Sequence, residues 1–207
     1  MTPRPPVLLV LLLASCAAPR PVLFRFDPAD LQPLESGMEW VYTVDGNQAQ
    51  VRRVGAPVRV GRFECRIVEA RTGESVEKFW MRSEKDGLKV YRMSEGERTF
   101  DFDDPMILIR YPASTGVRWK FEERHGPVSL DVEGAYEADE EMPVGKERRR
   151  CARIRLIKSV QGRPVLNQTS WYAPGVGLVK TAAAWTEDGK EMTRTLELKS
   201  TNLLPER

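Results

Sequence analysis

From Met38 onward, apolar and polar residues alternate along the chain with a period of two. Met38, Trp40, Tyr42 and Val44 are set against Glu39 and Thr43; Val117, Trp119 and Phe121 are set against Arg118, Lys120 and Glu122. Ala152, Ile154 and Leu156 alternate with Arg153 and Arg155, and Leu196 and Leu198 with Thr195, Glu197 and Lys199. This is the period of a half-buried strand, since successive side chains leave a pleated backbone on opposite faces. Between the runs sit Asp45-Gly46, Thr72-Gly73, Asp86-Gly87, Gly126-Pro127, Pro174-Gly175 and Asp188-Gly189. Asp-Gly supplies the positive φ of tight hairpins, and Pro-Gly suits the centre of a type II turn. No stretch carries the 3.6-residue period of an amphipathic helix. The pattern predicts an all-β chain: a curved antiparallel sheet, half-barrel or barrel-like, whose apolar face needs cover.

The strand pattern is written twice. Pro33-x3-Gly37-x2-Trp40 recurs as Pro112-x3-Gly116-x2-Trp119, Val60-Gly61 as Val144-Gly145, Phe79-Trp80 as Trp171-Tyr172, and Gly87-Leu88 as Gly177-Leu178. The offset drifts from 79 to about 90 residues. Matches in one order, at equivalent places in the strand pattern, predict an internal duplication of about six strands per copy. The expected layout is a first repeat over 33–105 and a second over 106–207.

The N-terminus follows another rule. Val7 to Leu13 is an unbroken apolar run behind Arg4, with the small residues Ala14 and Ser15 and then Cys16. The run is shorter than the roughly 20 residues a membrane-spanning helix needs and fits a cleaved export signal. Leu13-Ala14-Ser15-Cys16 resembles the lipobox of bacterial lipoproteins. The resemblance implies a signal peptide over 1–15, cleavage before Cys16, and diacylglycerol on its thiol. Two or three acyl chains make a stable anchor where one does not. By the sorting rule of enteric lipoproteins, Ala17 in place of Asp implies the outer membrane, facing the periplasm. Residues 16–32 carry several prolines, which disfavour helix and central strand, and read as a lipidated tether.

Composition narrows the function without naming it. Lys and Arg number 32 against 30 Asp and Glu, so net charge calls for no strongly charged partner, and nucleic acid is not expected. Cys65 and Cys151 could meet in an oxidising compartment. Strand parity opposes it: Cys65 shares a face with Phe63 and Ile67 and is expected to point inward, Cys151 a face with Arg153 and Arg155 and outward.

Ser170-Trp171-Tyr172-Ala173-Pro174-Gly175-Val176-Gly177-Leu178-Val179-Lys180 resembles a hairpin shared by a group of uncharacterised bacterial envelope β-proteins, which also carry the earlier P-x3-G-x2-W. More distantly, the plan is similar to the half-barrels of lipoprotein carriers and receptors, curved sheets that hold acyl chains. Pro, Gly and aromatics at this spacing also make a structural hairpin without any family.

Candidate chemistry is sparse. His125 stands alone beside Gly126-Pro127, and a metal site needs three or four convergent ligands. Asp101, Asp103 and Asp104 could offer oxygens to Ca²⁺, but the calcium-loop Gly and Glu are absent. Lys146 to Arg150 forms a basic run suited to solvent or to anionic headgroups. No nucleophile elbow, P-loop or dinucleotide fingerprint occurs. The expectation is a non-enzymatic envelope lipoprotein, with no catalytic residues, metal or cofactor, lipidated at Cys16. An apolar ligand would lie in a groove lined by Trp40, Trp119, Trp171 and Trp185. A protein-interaction or scaffolding role and a hydrolase using the acidic clusters are the alternatives.

Overall fold

The computed structural model describes residues 31–125, 128–187 and 189–204, without the His125 side chain. Cys16 and the expected signal and tether up to residue 30 lie outside the described residues. Twelve strands follow in order: β1 (Glu39–Val44), β2 (Gln48–Val60), β3 (Phe63–Thr72), β4 (Ser75–Glu84), β5 (Gly87–Glu95), β6 (Arg98–Arg110), β7 (Arg118–His125), β8 (Val128–Val144), β9 (Glu147–Val160), β10 (Arg163–Ala173), β11 (Gly177–Glu187) and β12 (Lys190–Thr201). All pair antiparallel in one sheet of order β6-β5-β4-β3-β2-β1-β12-β11-β10-β9-β8-β7. Two six-strand meanders thus join through β1 and β12, and the sheet curls into a nearly closed barrel. The boundary expected at residues 105 and 106 falls inside β6.

Bulges supply the curvature. Register shifts interrupt β2 between Val54 and Pro57, β8 between Tyr136 and Ala138, and β10 between Trp171 and Tyr172. An extra residue on one strand bends it and increases its twist, which helps a long sheet roll up.

The two Pro-x3-Gly-x2-Trp segments fold alike. Gly37 and Gly116 hold φ of 88° and 89°, a conformation that disfavours any other residue. Met38 N–H reaches Glu35 O at 3.3 Å, and Val117 N–H reaches Ser114 O at 3.1 Å. Gly37 N–H then donates to Val54 O (2.9 Å), and Gly116 N–H to Tyr136 O (3.1 Å). Each turn launches a strand whose second residue is an inward tryptophan.

β6 and β7 are the two edges, and side chains rather than a backbone ladder close the seam between them. Trp119 Nε1–H donates to Ile107 O at 3.0 Å. Asp103 N–H donates to Glu123 Oε1 at 3.3 Å. Phe102 meets Phe121 edge-on with centroids 5.6 Å apart. Gly134 on β8 lies under the Trp119 indole: a Cβ there would fall 2.0 Å from its Cε2.

The main core lines the inside of the barrel, with Trp40, Tyr42, Leu88, Ile109, Ile154 and Tyr136 among its buried members. A smaller cluster on the outside joins Val144, Cys151, Ala173, Val176 and Val179, with Trp171 and Leu204 against it. Elsewhere the outer face carries ion pairs such as Arg92–Asp101 and Lys180–Glu197. A charged exterior around an apolar interior is the reverse of a barrel built to face lipid. No helix among the described residues is long and apolar enough to cross a membrane.

One expected orientation is corrected. Cys65 does not point inward: on β3 it alternates with the core residue Val68, and it lies among Arg82, Glu84 and Tyr91. Phe63 covers that spot by packing on Tyr91, centroids 4.6 Å apart. Cys151 also faces outward, as expected. Both thiols are buried and free.

Candidate functional site

The hairpins β1–β2, β3–β4, β5–β6, β9–β10 and β11–β12 all lie at one end of the barrel, because consecutive strands within each meander pair antiparallel and β1 pairs antiparallel with β12. At the other end the chain enters at Leu31 and Gln32, both buried, and packs beside Trp40 and Ala113. That end is closed. Between the ends runs a lumen of about 440 Å³.

The closed end is built by the Trp-Tyr-Ala-Pro-Gly-Val-Gly-Leu hairpin. Ala173 O and Val176 N–H close its turn at 3.1 Å. Trp40 Nε1–H donates to Val176 O at 2.6 Å, and Tyr42 O–H to Leu178 O at 2.9 Å. Leu178 N–H donates to Gln32 Oε1 at 3.3 Å. Gly177, at φ 94°, would press a Cβ to within 3.1 Å of the Gln32 amide. The hairpin is therefore a socket for two aromatics from β1, 136 residues away in sequence, and satisfies their polar atoms inside an apolar site.

Of the four tryptophans expected to line a groove, Trp40 and Trp185 line the lumen. Trp119 closes the β6–β7 seam instead. Trp171 lies on the outer face, where its Nε1–H donates to Glu140 Oε2 at 2.6 Å. The wall between is mostly apolar, from Val68, Phe79, Met81, Met106, Leu156 and Leu178.

Charge is unevenly placed on this wall. Arg52, Lys158 and Arg194 line the lumen against one carboxylate, Glu77. Arg194 sits toward the open end and stacks on Trp185, 5.5 Å from its ring. Arg52 sits deeper, its guanidinium 5.2 Å from the Tyr42 ring centroid. Burial pushes the Tyr172 phenol up to about 12, and the nearby Arg52 charge opposes part of that push. Tyr42 is raised for the same reason, with the same opposition from Arg52. The pattern along the chain does not reveal Arg52. Gln48, Gln50 and Arg52 face inward while Ala49 and Val51 face outward, the opposite of what hydrophobicity assigns.

The acidic clusters are engaged elsewhere. Asp101 takes Arg92 in a two-bond pair with bonds of 2.5 and 3.0 Å. Asp139 accepts from Tyr136 and Arg150, and Glu140 from Arg153 and Trp171. Among the described residues no three His, Cys, Asp or Glu side chains converge as metal ligands. In the basic run, Arg148 donates to Glu141 O at 3.0 Å and Arg149 pairs with Glu147 at 3.2 Å.

No protein-family model matches the chain, and no curated protein matches it. Among solved structures it is similar to a Bacteroides fragilis protein described as exported, with a YmcC-like fold: 13% identity, 84% of this chain and 99% of the other, TM-score 0.40. It is also similar to a Parabacteroides distasonis protein described as a lipoprotein: 12% identity, 84% of this chain and 98% of the other, TM-score 0.41. Likeness at this level bears on neither activity nor location.

Proposed function

We propose that the chain is a bacterial envelope lipoprotein whose barrel lumen binds an apolar ligand, a lipid or acyl chain, without converting it. The observation that carries this reading is the lumen: about 440 Å³ with a mainly apolar wall, within the range of roughly 300–1,000 Å³ typical of small-molecule sites. A barrel that needed only stability would fill this space with side chains, as small barrels do. Anchoring rests on Leu13-Ala14-Ser15-Cys16, with thioether lipidation at Cys16 and, from Ala17, an outer-membrane position facing the periplasm. The chain enters the barrel at its closed end, so a tether from Cys16 leaves the open end free. Two observations support binding over the alternatives. The edges β6 and β7 face each other across a seam closed by Trp119 on Ile107 O and Glu123 on Asp103 N–H, which obstructs a partner strand there. The acidic clusters are neutralised on the outer face rather than gathered in a cleft.

The test is native mass spectrometry on the chain from Ala17 onward, which contains the whole described sheet, purified from a bacterial periplasm. The expected result is an added mass that organic extraction identifies as fatty acid or phospholipid. A bare mass that takes up no added lipid refutes the reading. In parallel, Cys16→Ser in the full chain abolishes metabolic labelling by palmitate and releases the protein from the membrane fraction; retained labelling refutes the anchor.

A further inference from the structure

Three cations against one carboxylate is an uneven lining for a mostly apolar cavity; Arg52 and Lys158 are half-buried and Arg194 exposed, so a ligand that displaces water from them must supply a counter-charge. Arg52 shows the imbalance best. Its Nε–H donates to Gln50 Oε1 at 2.8 Å, and Gln50 Nε2–H donates in turn to Thr72 Oγ1 at 2.9 Å. This relay, with the Tyr42 ring beneath the guanidinium, fixes the plane of the fork. Arg52 lines the lumen, and its terminal Nη groups have no carboxylate partner among the described residues. Glu77 shares the row Arg52–Ala70–Glu77 but stands two strand spacings away, roughly 10 Å. A positioned guanidinium with its outer edge unused is suited to a planar or tetrahedral anion, which it can grip with two parallel hydrogen bonds.

We propose that the lumen takes a single aliphatic chain ending in an acidic group, carboxylate or phosphate, whose anion pairs with the Nη edge of Arg52. This rests on the lumen-binding reading above and names the ligand class. The hydrocarbon lies against the wall of Phe79, Met81, Met106 and Leu156. Lys158 and Arg194 add positive potential along the path of entry. Gln50 is a positioning residue, acting through Arg52.

The test measures binding to the delipidated chain from Ala17 onward, read by tryptophan fluorescence and calorimetry, with four probes: dodecanoate, dodecyl phosphate, dodecanol and inorganic phosphate. The expected order places dodecanoate or dodecyl phosphate ten- to a hundredfold tighter than dodecanol, the effect of a charge-assisted hydrogen bond. Arg52→Met, which keeps the stem's packing, removes the acid preference, so that both acids bind no tighter than dodecanol in the same variant. Gln50→Met weakens the acids by less. The comparison of acid with alcohol in the unaltered protein needs no variant to fold. Equal affinity for acid and alcohol overturns this proposal alone, as does an acid preference that survives Arg52→Met. Inorganic phosphate binding as tightly as dodecyl phosphate also overturns it, by showing an anion site with no use for the chain. Uptake of no dodecyl probe at all overturns the lumen reading, and this proposal with it.

Discussion

Replacing Gly134 with alanine places a methyl carbon inside the Trp119 indole. The new Cβ would stand 2.0 Å from Cε2, 2.3 Å from Cζ2 and 2.4 Å from Nε1. Relief requires the ring to retreat by about 1.4 Å to reach ordinary contact. Trp119 cannot retreat freely, because its Nε1–H is held by Ile107 O across the seam at 3.0 Å. A shift of that size breaks the bond and separates the two strands that no backbone ladder joins. Overpacking costs about 1–3 kcal/mol and loss of the partly buried hydrogen bond about 1–3 kcal/mol, so Gly134→Ala destabilises by about 2–6 kcal/mol in all. For a domain of this size that lowers Tm by roughly 4–24 °C. The assay is urea unfolding followed by tryptophan fluorescence, with calorimetry for Tm. The decisive control is Gly134→Ala in a Trp119→Leu background, where the smaller side chain leaves room and alanine costs less than about 1 kcal/mol. A Gly134→Ala protein as stable as the parent, or an equal cost in both backgrounds, would refute the reasoning.

Other consequences follow from buried groups. The Tyr172 phenol is pushed up to about 12 by burial, and Tyr42 is raised likewise. A free phenol titrates near 10, so above that pH the unfolded chain gives up these protons first. Stability is full below about pH 10 and falls as pH climbs toward 12. Denaturant midpoints across pH 8 to 12 check this, and a flat profile contradicts it. Burial also raises the Cys151 thiol to about 12 and raises that of Cys65. At pH 8 neither reacts with a disulfide reagent in the folded chain from Ala17 onward, and both react in urea; fast labelling of the native protein would refute their placement. Gly177→Ala forces a side chain into φ 94° and against Gln32. It costs about 1–3 kcal/mol, read as a lowered Tm, whereas Gly189→Ala, with nothing near its Cβ, costs only the local φ strain.

The sequence carries some of this architecture openly and hides the rest for physical reasons. Strands and hairpins are legible because period-two alternation and Asp-Gly turns are local, and the paired Pro-x3-Gly-x2-Trp segments do fold to the same turn. Closure is not legible. The β1–β12 ladder and the β6–β7 seam join residues far apart in the chain, and no local pattern records Trp119 lying over Gly134. The tryptophans show the limit of composition: Trp40 and Trp185 reach the lumen, while Trp119 closes the seam and Trp171 bonds Glu140 outside. Cys65 was misdirected because the start of β3 has inverted polarity: Phe63, Cys65 and Ile67 point outward, while Glu64 and Arg66 share the inward face with Val68 and Ala70. Arg52 was hidden in the same way, on an inward face more polar than the outward one. Inverted polarity within a strand is a local mark of such a lumen and can be sought in other sequences.

The central claim is that the lumen holds the ligand, and one pair of variants tests it directly. Ala183 lines the lumen, paired between Gln168 and Arg194, and Ala184 is its neighbour on the opposite face of β11. Dodecanol uptake is measured on the delipidated chain from Ala17 onward with Ala183→Phe and with Ala184→Phe, each checked for retained β-structure. The account predicts that Ala183→Phe fills the cavity and abolishes uptake, while Ala184→Phe binds like the parent. Equal uptake by the two variants would contradict it.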